Sequence, residues 1–338
     1  MKVLFLISDP ERPSTRHRIR NLVPGLGKEG VSCTVEEVPS GVVKQSRLMK
    51  KSAAFDVTVL QRRMMTFLPS GVLRRNAKRL VFDFDDAIML TNTPQGPKPS
   101  ATRERRFKKT IGMMDEVWVG NKVLEEASRP HLKPGARIRV VPTVIDTDRW
   151  AEGPAPEKPP HRPLVIGWMG APGNVVYLEA LKDVFDRLSD RFPGISLRIV
   201  SQKFIDCARM PVDKRTWTLD NEVREVRDFD IALAPLHDDA WTRGKCALRI
   251  LNYFAAGVAV VCSPVGANAE VVTPGETGEH ATTPEQWYEA ISRLATDAAR
   301  RMKMAKAGQD RARDEYSIRS LTPKLATVLQ KLSKPARG

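Results

Sequence analysis

Short aliphatic segments alternate with amphipathic stretches along the chain, and this alternation restricts the fold more than any other feature. The segments Lys2–Ser8 and Leu80–Phe84 are mostly apolar, which is typical of strands buried on both faces of a parallel sheet. Between such segments, apolar residues recur at helical spacing, as at Ile19, Leu22 and Leu26. This order predicts βαβ units and an α/β fold class. Further strands are predicted at Val31–Val35, Val57–Leu60, Glu116–Val119, Leu164–Trp168, Ile195–Ser201, Asp230–Ala234 and Val258–Ser263, and helices at Val175–Phe192 and Ala247–Ala256.

A proline-rich segment interrupts this alternation near the middle of the 338-residue chain. The polar composition and the prolines of residues 151–163 predict a stiff linker. We therefore expect two doubly wound, Rossmann-like domains, at residues 1–150 and 164–315, that face a central cleft. In such sheets ligands bind where the strands end at their carboxyl edge, so the loops that follow the predicted strands hold the candidate site.

Basic residues are concentrated in the first half of the chain. Residues 1–150 hold 28 of the 55 Lys and Arg against 16 Asp and Glu, a net charge of +12 out of +15 for the whole chain. Such an excess indicates an anionic partner: nucleic acid, an acidic bilayer or a phosphorylated substrate. Aromatic residues are not interleaved with the basic ones as in nucleic-acid-binding modules. We therefore expect no nucleic acid and favour a bilayer or lipid phosphate; a solvated, solubilising surface is the alternative.

No segment of the sequence is suited to crossing a membrane or to building a disulfide framework. The longest apolar runs, such as Val3–Ile7 and Val258–Cys262, hold five residues, whereas a spanning helix needs about 20. The four cysteines have no CxxC spacing, which indicates reduced thiols rather than a zinc site. We expect a cytoplasmic protein, with peripheral attachment to the inner face of the cell membrane where its basic surface meets anionic lipid.

Two loops in the second half combine small residues with the start of a predicted helix. Small residues let a phosphate approach the N–H groups of the following helix. The first loop, after Trp168, has no GxGxxG or P-loop pattern, so a plain βα turn is its alternative. The candidate residues of these loops are Gly170, Asn174, Gly266, Asn268 and Glu270.

Three cations lie between the strand that ends at Ala234 and the next predicted strand. Arg243 and Lys245 come just before a predicted helix, and Arg249 follows Lys245 by four residues, which is one helical turn. Together with a helix dipole, they would neutralise a diphosphate leaving group. Ordinary surface charge is the alternative.

Several ordered motifs resemble those of the family-4 glycosyltransferases, which are retaining enzymes of the GT-B fold. The resemblance covers nearly the whole chain, and it implies a nucleotide-sugar donor bound mainly by the C-terminal domain and an acceptor bound mainly by the N-terminal one. It also implies that a final helix, at residues 318–332, crosses back onto the N-terminal domain. The segments that carry the resemblance are Val81–Ala87, Asp115–Asn121, Val141–Asp146, Asp230–Leu236, Gly244–Gly257, Val258–Gly266, Glu270–Val272, Gly275–Gly278 and Thr283–Leu294.

Two departures from the family pattern concern the donor site and the first loop. The family usually carries two glutamates separated by seven residues, and Gly244 and Asn252 stand at those positions here. Asn252 can still hydrogen-bond a ribose hydroxyl as a neutral amide. The usual glycine pair after the first strand is replaced by Ser14 and Thr15, followed by Arg16.

Three carboxylates, Asp83, Asp85 and Asp86, lie where many members of the family have a histidine that touches the sugar. Such a cluster can suggest Mg²⁺, but alternation along a strand places Asp83 and Asp85 on one face and Asp86 in the turn. Enzymes of this family typically need no bound metal. Binding of an acceptor or sugar hydroxyl by Asp85 or Asp86 is one reading, and capping of a turn is the other.

The resemblance implies a retaining hexosyltransferase that moves a sugar from a nucleotide-diphosphate sugar to a glycan or lipid-linked acceptor, in the synthesis of cell-surface polysaccharide. Neither a cofactor nor a metal is expected. A non-catalytic nucleotide-sugar or glycan-binding protein of the same fold is the alternative, because both donor-site glutamates are absent. The expected catalytic residues are Arg243, Lys245, Asp85 and Asp86; the donor-binding residues are Gly170, Asn174, Arg249, Asn252, Gly266, Asn268 and Glu270; and the acceptor-binding residues are Arg16 and His17.

Overall fold

A computed structural model describes residues 1–93, 96–151 and 162–334 of the chain. The chain divides into two compact units, of which the first comprises Met1–Val144, Asp239–Cys246 and Ile318–Gly338 and the second Ile145–Asp238 and Ala247–Ser317. Most of the predicted linker, at residues 152–161, lies outside the described residues.

The first unit is built on a six-stranded parallel sheet with strand order β2-β1-β3-β4-β7-β8. Its elements in chain order are β1 (Lys2–Ile7), α1 (Pro13–Thr15), a π-helical turn (Arg16–Arg20), α2 (Val23–Lys28), β2 (Ser32–Glu37), α3 (Val42–Lys50), β3 (Val57–Gln61), α4 (Phe67–Asn76), β4 (Leu80–Phe84), the antiparallel hairpin β5 (Thr91–Thr93) and β6 (Gly96–Lys98), α5 (Ala101–Gly112), β7 (Glu116–Val119), α6 (Lys122–Ser128) and β8 (Arg137–Val140).

Both faces of this sheet are covered, as the apolar strands require. Leu4 and Phe82 point into one core layer, whereas Val3 and Val81 point into the layer on the opposite face, because successive side chains of a strand alternate between faces. All four side chains are fully buried. A strand with no polar face needs helices on both sides, and the sheet therefore has a doubly wound architecture.

The second unit has the same plan, with a six-stranded parallel sheet in the order β11-β10-β9-β12-β13-β14. The predicted α/β class with two doubly wound sheets is confirmed. The elements of this unit are α7 (Thr147–Ala151), β9 (Val165–Met169), α8 (Val176–Glu179), α9 (Lys182–Arg191), β10 (Ser196–Ser201), β11 (Val212–Thr216), α10 (Glu222–Arg227), β12 (Ile231–Ala234), α11 (Leu248–Ala255), β13 (Ala259–Cys262), α12 (Ala267–Val271), β14 (Gly278–His280), α13 (Pro284–Thr296) and α14 (Ala298–Arg311).

The last helix, α15 (Ile318–Ser333), packs against the first unit. Leu325, Ala326 and Leu329 are buried in the same core layer as β1 and α2. The Arg79 side chain donates a hydrogen bond of 3.1 Å to the Leu332 carbonyl. The apolar stripe of the helix is therefore buried against the β1–α2 layer.

Two helices differ from the sequence prediction. The segment after β1 contains a π turn, in which the Asn21 N–H donates to the Arg16 carbonyl at 2.9 Å; such turns often occur at functional sites. The single helix predicted at Val175–Phe192 is broken into α8 and α9, because the turn before α9 closes with an i→i−3 bond from the Leu181 N–H to the Leu178 carbonyl. Both leucines thereby reach the core.

Among the described residues, no helix combines the length and the hydropathy that membrane spanning requires. Nor do three or more His, Cys, Asp or Glu side chains converge, within those residues, in a way that could hold a metal ion.

We expect Leu329→Ala to lower the free energy of unfolding by about 2–5 kcal/mol, because it removes a fully buried side chain from the α15 stripe. Urea unfolding measures this change. The exposed Lys331→Ala on the same helix is the control and should stay within about 0.5 kcal/mol of the parent. Equal stabilities for the parent and Leu329→Ala would contradict the packing of α15.

Candidate functional site

In the second unit, Arg249 lies over the indole of Trp168. Arg249 is in the first turn of α11, and its guanidinium carbon is 4.7 Å from the centroid of the Trp168 ring, a cation–π contact. Gly170 makes room for this pair, because a Cβ at that position would lie 2.7 Å from Arg249 Nη2 and 2.5 Å from Trp168 Cζ2. The sequence therefore needs glycine here for close packing rather than for an open turn.

Arg249 is mostly buried, yet within the described parts of the chain it has neither a hydrogen bond nor an ion pair. Burial lowers the pKa of Arg249, and its nearest titratable neighbours are the phenols of Tyr253 and Tyr177 rather than carboxylates. A buried cation without a partner is costly. Its guanidinium keeps all of its N–H donors available, and such donors suit a phosphate or carboxylate.

Asn252 lies three residues after Arg249 on α11 and so shares a helix face with it. Asn252 is buried, and its Oδ1 has no hydrogen-bond partner among the described residues. Tyr253 is fixed instead: its hydroxyl oxygen accepts a 2.9 Å hydrogen bond from the Met169 N–H, and burial raises its pKa to about 12. Two polar groups on one turn of α11 therefore lack partners.

Two of the amides of the loop between Gly170 and Asn174, predicted to approach a phosphate, are used inside the protein. The Gly170 N–H donates to the Val200 carbonyl at 3.1 Å, and the Asn174 N–H donates to the Ala171 carbonyl at 2.9 Å. The loop closes into a 3₁₀ turn followed by the four-residue helix α8. Because their amides are used inside the protein, neither Gly170 nor Asn174 offers the predicted N–H contact.

The loop after β13 places its three predicted residues differently. Gly266 has a positive φ of 55° just before α12, a conformation that favours glycine. Asn268 is buried, and its Nδ2 donates to the Ser263 carbonyl at 3.2 Å. Glu270 is exposed. Their donor-binding role stays a prediction, although the contact of Asn268 is structural.

The segment that carries Arg243 and Lys245 belongs to the first unit, whereas the sequence had assigned it to the second domain. The amide of Asn121 donates hydrogen bonds to the carbonyls of Arg243 and Lys245, at 3.1 and 2.9 Å. Lys245 is extended and Ala247 has a positive φ of 53°. Arg249 therefore does not follow Lys245 by one helical turn, and that part of the prediction is wrong.

Gly244, where the family pattern has a glutamate, has no space for a side chain. A Cβ there would lie 2.8 Å from both the backbone nitrogen and the Cβ of Ala87. Because a backbone atom cannot move aside cheaply, any larger residue displaces the segment. The missing carboxylate is thus a consequence of close packing inside the first unit.

Asp85 and Asp86 are both bound by Arg62 at the end of β3. One Arg62 nitrogen donates to a carboxylate oxygen of Asp85 and, at 2.7 Å, to Asp86 Oδ2. Arg62 has a positive φ of 55°, which is strained for a side chain of this kind. Burial and the neighbouring Asp85 raise the pKa of Asp86, while the charges of Arg62 and Lys245 oppose that rise.

Asp83 has a different partner, since it forms a fully buried ion pair with Arg18 of the π turn. Arg18 Nη2 lies 2.5 Å from Asp83 Oδ1, and Nη1 donates to the Val141 carbonyl at 2.8 Å. Burial alone would lower the pKa of Arg18, but the Asp83 carboxylate raises it above the ordinary value. Arg18 therefore points inward, whereas Arg20 of the same turn is exposed.

Of the predicted acceptor residues, His17 is buried and its Nδ1 lies 3.1 Å from the Val144 carbonyl oxygen. Arg16 Nη2 lies 3.3 Å from His17 Nε2. Their acceptor role stays a prediction.

The structure therefore brings Lys245 close to Asp86 in the first unit, and it groups Gly170, Arg249 and Asn252 in the second. Sequence reasoning missed three residues of these groups, although each follows or ends a predicted strand at its carboxyl edge. They are Arg62, Asn121 and Trp168.

Comparisons with known proteins bear on the fold and on the family of the second unit. Residues 163–297 match the family model of glycosyl transferases group 1, whereas no curated protein matches the chain. Three solved structures are similar over almost their whole length: HepE of Anabaena in complex with UDP and glucose (12% identity, 98% of this chain and 99% of that chain, TM-score 0.71), sucrose-phosphate synthase from Thermosynechococcus elongatus (14%, 98% and 98%, 0.72), and a glycosyltransferase from Rickettsia africae (13%, 99% and 99%, 0.74).

At these identities, the similar structures show the fold. The GT-B architecture is confirmed, and the second unit carries a glycosyl transferases group 1 domain, as the resemblance had indicated. The enzyme class is thus confirmed as a glycosyltransferase. Membership of family 4 and retention of configuration stay predictions.

We expect Asn121→Asp to loosen the segment that carries Arg243 and Lys245. The carboxylate keeps the acceptor that caps α6 through the Leu124 N–H, but it cannot donate to the two carbonyls. Two lost hydrogen bonds of roughly 1 kcal/mol each should speed amide exchange in residues 239–246 by about 10-fold or more. Hydrogen-exchange mass spectrometry measures this.

The control for that experiment is Asn221→Asp, which makes the same chemical change at an exposed turn of the second unit, where the amide donates to the Thr216 carbonyl. Its segment 239–246 should exchange at the parental rate. Parental exchange in Asn121→Asp would show that the Asn121 amide does not hold this segment.

Proposed function

We propose that this chain, which carries a glycosyl transferases group 1 domain at residues 163–297, transfers a sugar from a nucleotide-diphosphate sugar to an acceptor and that Arg249 binds the diphosphate. The observation that carries this assignment is the unpartnered, mostly buried guanidinium of Arg249 above Trp168. A diphosphate would supply the missing anion with a geometry that suits a guanidinium. HepE, solved with UDP and glucose, makes UDP-glucose the first donor to test.

The chemical role of Arg249 would be to stabilise the leaving diphosphate. Negative charge grows on the phosphate oxygens as the glycosidic bond breaks, and a fixed cation in a poorly solvated place stabilises it more than water does. Asn252, with its unpartnered Oδ1, would accept a hydrogen bond from a donor hydroxyl. This scheme uses side-chain charges for the leaving group and therefore requires neither metal nor cofactor.

The finer assignments extend this proposal. Arg243 and Lys245 are proposed as further cations for the leaving phosphates, and Asp85 and Asp86 as acceptors of hydroxyl hydrogen bonds, oriented by Arg62. We propose retention of configuration and a glycan or lipid-linked acceptor, as in the synthesis of surface polysaccharide. A lipid-linked acceptor would require peripheral contact between the basic first unit and an anionic membrane.

We expect Arg249→Met to weaken the binding of pyrophosphate at least 10-fold, since roughly 1.5–3 kcal/mol of charged hydrogen bonding is lost. Pyrophosphate is the probe because it needs no choice of base or sugar. The same variant should raise the free energy of unfolding of the ligand-free protein by about 1–3 kcal/mol, because it removes an unpaired buried charge. Calorimetric titration and urea unfolding measure the two effects.

Arg198→Met is the matched control in the same unit. Arg198 is also mostly buried, but it pairs with Asp213 and Asp228 at 2.8 and 2.6 Å. Its replacement should destabilise the protein and leave pyrophosphate binding unchanged. If Arg249→Met binds pyrophosphate like the parent, the diphosphate site is elsewhere.

We expect Lys245→Ala to slow the release of nucleoside diphosphate from the active nucleotide sugar by about 100-fold, or roughly 3 kcal/mol of leaving-group stabilisation. A panel of nucleotide sugars without acceptor supplies the assay. Lys182→Ala, in α9 of the second unit, is the control and should keep the parental rate. Tight binding without any release would instead favour the non-catalytic binding protein.

A further inference from the structure

Large exposed apolar side chains are concentrated at two neighbouring helix starts of the first unit. Val43, Phe67 and Leu68 are 73%, 77% and 63% exposed, and Val42 is 44% exposed. Val42 and Val43 form the beginning of α3, and Phe67 and Leu68 form the beginning of α4. We call these four residues the apolar edge.

The two halves of the apolar edge lie at the same rim of the unit. Helices α3 and α4 pack against each other and bury Leu48 and Leu73 in one core layer. Each helix leads out of a parallel strand, β2 or β3, so both begin at the carboxyl edge of the sheet. The apolar edge is therefore one surface rather than two separate positions.

Exposed basic side chains, among them Lys44 and Arg47, lie beside this surface. Residues 38–79 contain ten Lys and Arg and a single acidic residue, Asp56. Lys44, Arg47 and Lys50 of α3 are exposed and form no ion pair within the described residues. The Lys109 ammonium lies 3.9 Å from the centroid of the Phe67 ring. Exposed apolar tips among unpaired cations are costly in water and suit an interface between hydrocarbon and anionic headgroups.

We propose that the first unit docks on an anionic lipid bilayer through the apolar edge, with Phe67, Leu68, Val42 and Val43 entering the headgroup boundary and the basic side chains of α3 contacting lipid phosphates. This inference rests on the proposed function, because a lipid-linked acceptor is presented at that surface. The first turns of α3 and α4 have no side-chain cap, so their N–H groups add favourable contacts for phosphate.

Two other occupants fit less well. A second copy of the chain would bring the same basic charge against itself, which repels. A nucleic acid would match the charge, but the aliphatic side chains of Val43 and Leu68 cannot stack on bases as aromatic ones do. A hydrocarbon boundary satisfies the charge and the aliphatic side chains together.

The test is flotation of the full-length protein with vesicles of neutral phosphatidylcholine or of the same lipid with phosphatidylglycerol, at low and high salt. We expect the parent to bind only the anionic vesicles and to dissociate as salt rises. The double variant F67S/L68S and, separately, K44E/R47E should each lower binding at least 10-fold. The control M302S/K303E alters an exposed Met and Lys in α14 of the second unit and should bind like the parent.

Pyrophosphate titration of these variants distinguishes a failure of the docking proposal from a failure of the proposed function. All three variants should bind pyrophosphate like the parent. The docking surface is overturned if the parent ignores anionic vesicles, if F67S/L68S binds them like the parent, or if M302S/K303E loses binding equally. If the parent and F67S/L68S bind random duplex DNA equally and neither binds vesicles, the partner is nucleic acid. This result would also overturn the docking proposal. Loss of pyrophosphate binding in Arg249→Met is independent of all these results.

Discussion

The guanidinium of Arg249 above the indole of Trp168 is the interaction on which the proposed donor site depends. It restricts position 170 to glycine, because a methyl group there meets both partners. It also leaves a mostly buried cation without an anion among the described residues. A folded protein rarely keeps such a charge unless something outside the chain pairs with it. The unpaired charge lowers the stability of the ligand-free protein, and a bound anion can restore it.

In the first unit, by contrast, buried arginines are paired with carboxylates. Arg18 and Arg62 each lie against a carboxylate, which keeps the charge compensated. The positive excess of this half therefore lies in its exposed side chains, such as those of α3. Paired charges inside fix the loops at the carboxyl edge of the sheet, and unpaired charges outside are available to an anionic surface.

The sheets could be predicted well, because a strand that is buried on both faces consists mainly of apolar residues. One example is Leu80–Phe84, whose bounds were predicted correctly. The edge strand β11 was harder to predict, because it is polar and mostly exposed and therefore contains no apolar run. The helix break before α9 was missed because a 3₁₀ turn keeps leucines on the core side and leaves the apolar spacing almost unchanged.

The site was predictable as a set of loops but not as contacts. The rule that ligands lie at the carboxyl ends of strands indicated the loops in which the candidate residues lie. Spacing suggested that Lys245 and Arg249 share a helix face, and the left-handed Ala247 between them breaks that relation. Asn121 is 122 residues from Arg243 along the chain, and no local pattern reports a contact at such a separation. The space around Gly244 is likewise set by a distant backbone, that of Ala87.

A crystal structure of the protein with a nucleoside diphosphate bound tests the role of Arg249 most directly. We expect diphosphate oxygens within about 3 Å of the Arg249 guanidinium, with the stack on Trp168 retained. A diphosphate bound elsewhere, with Arg249 still unpaired or turned to a carboxylate of the chain, would contradict it.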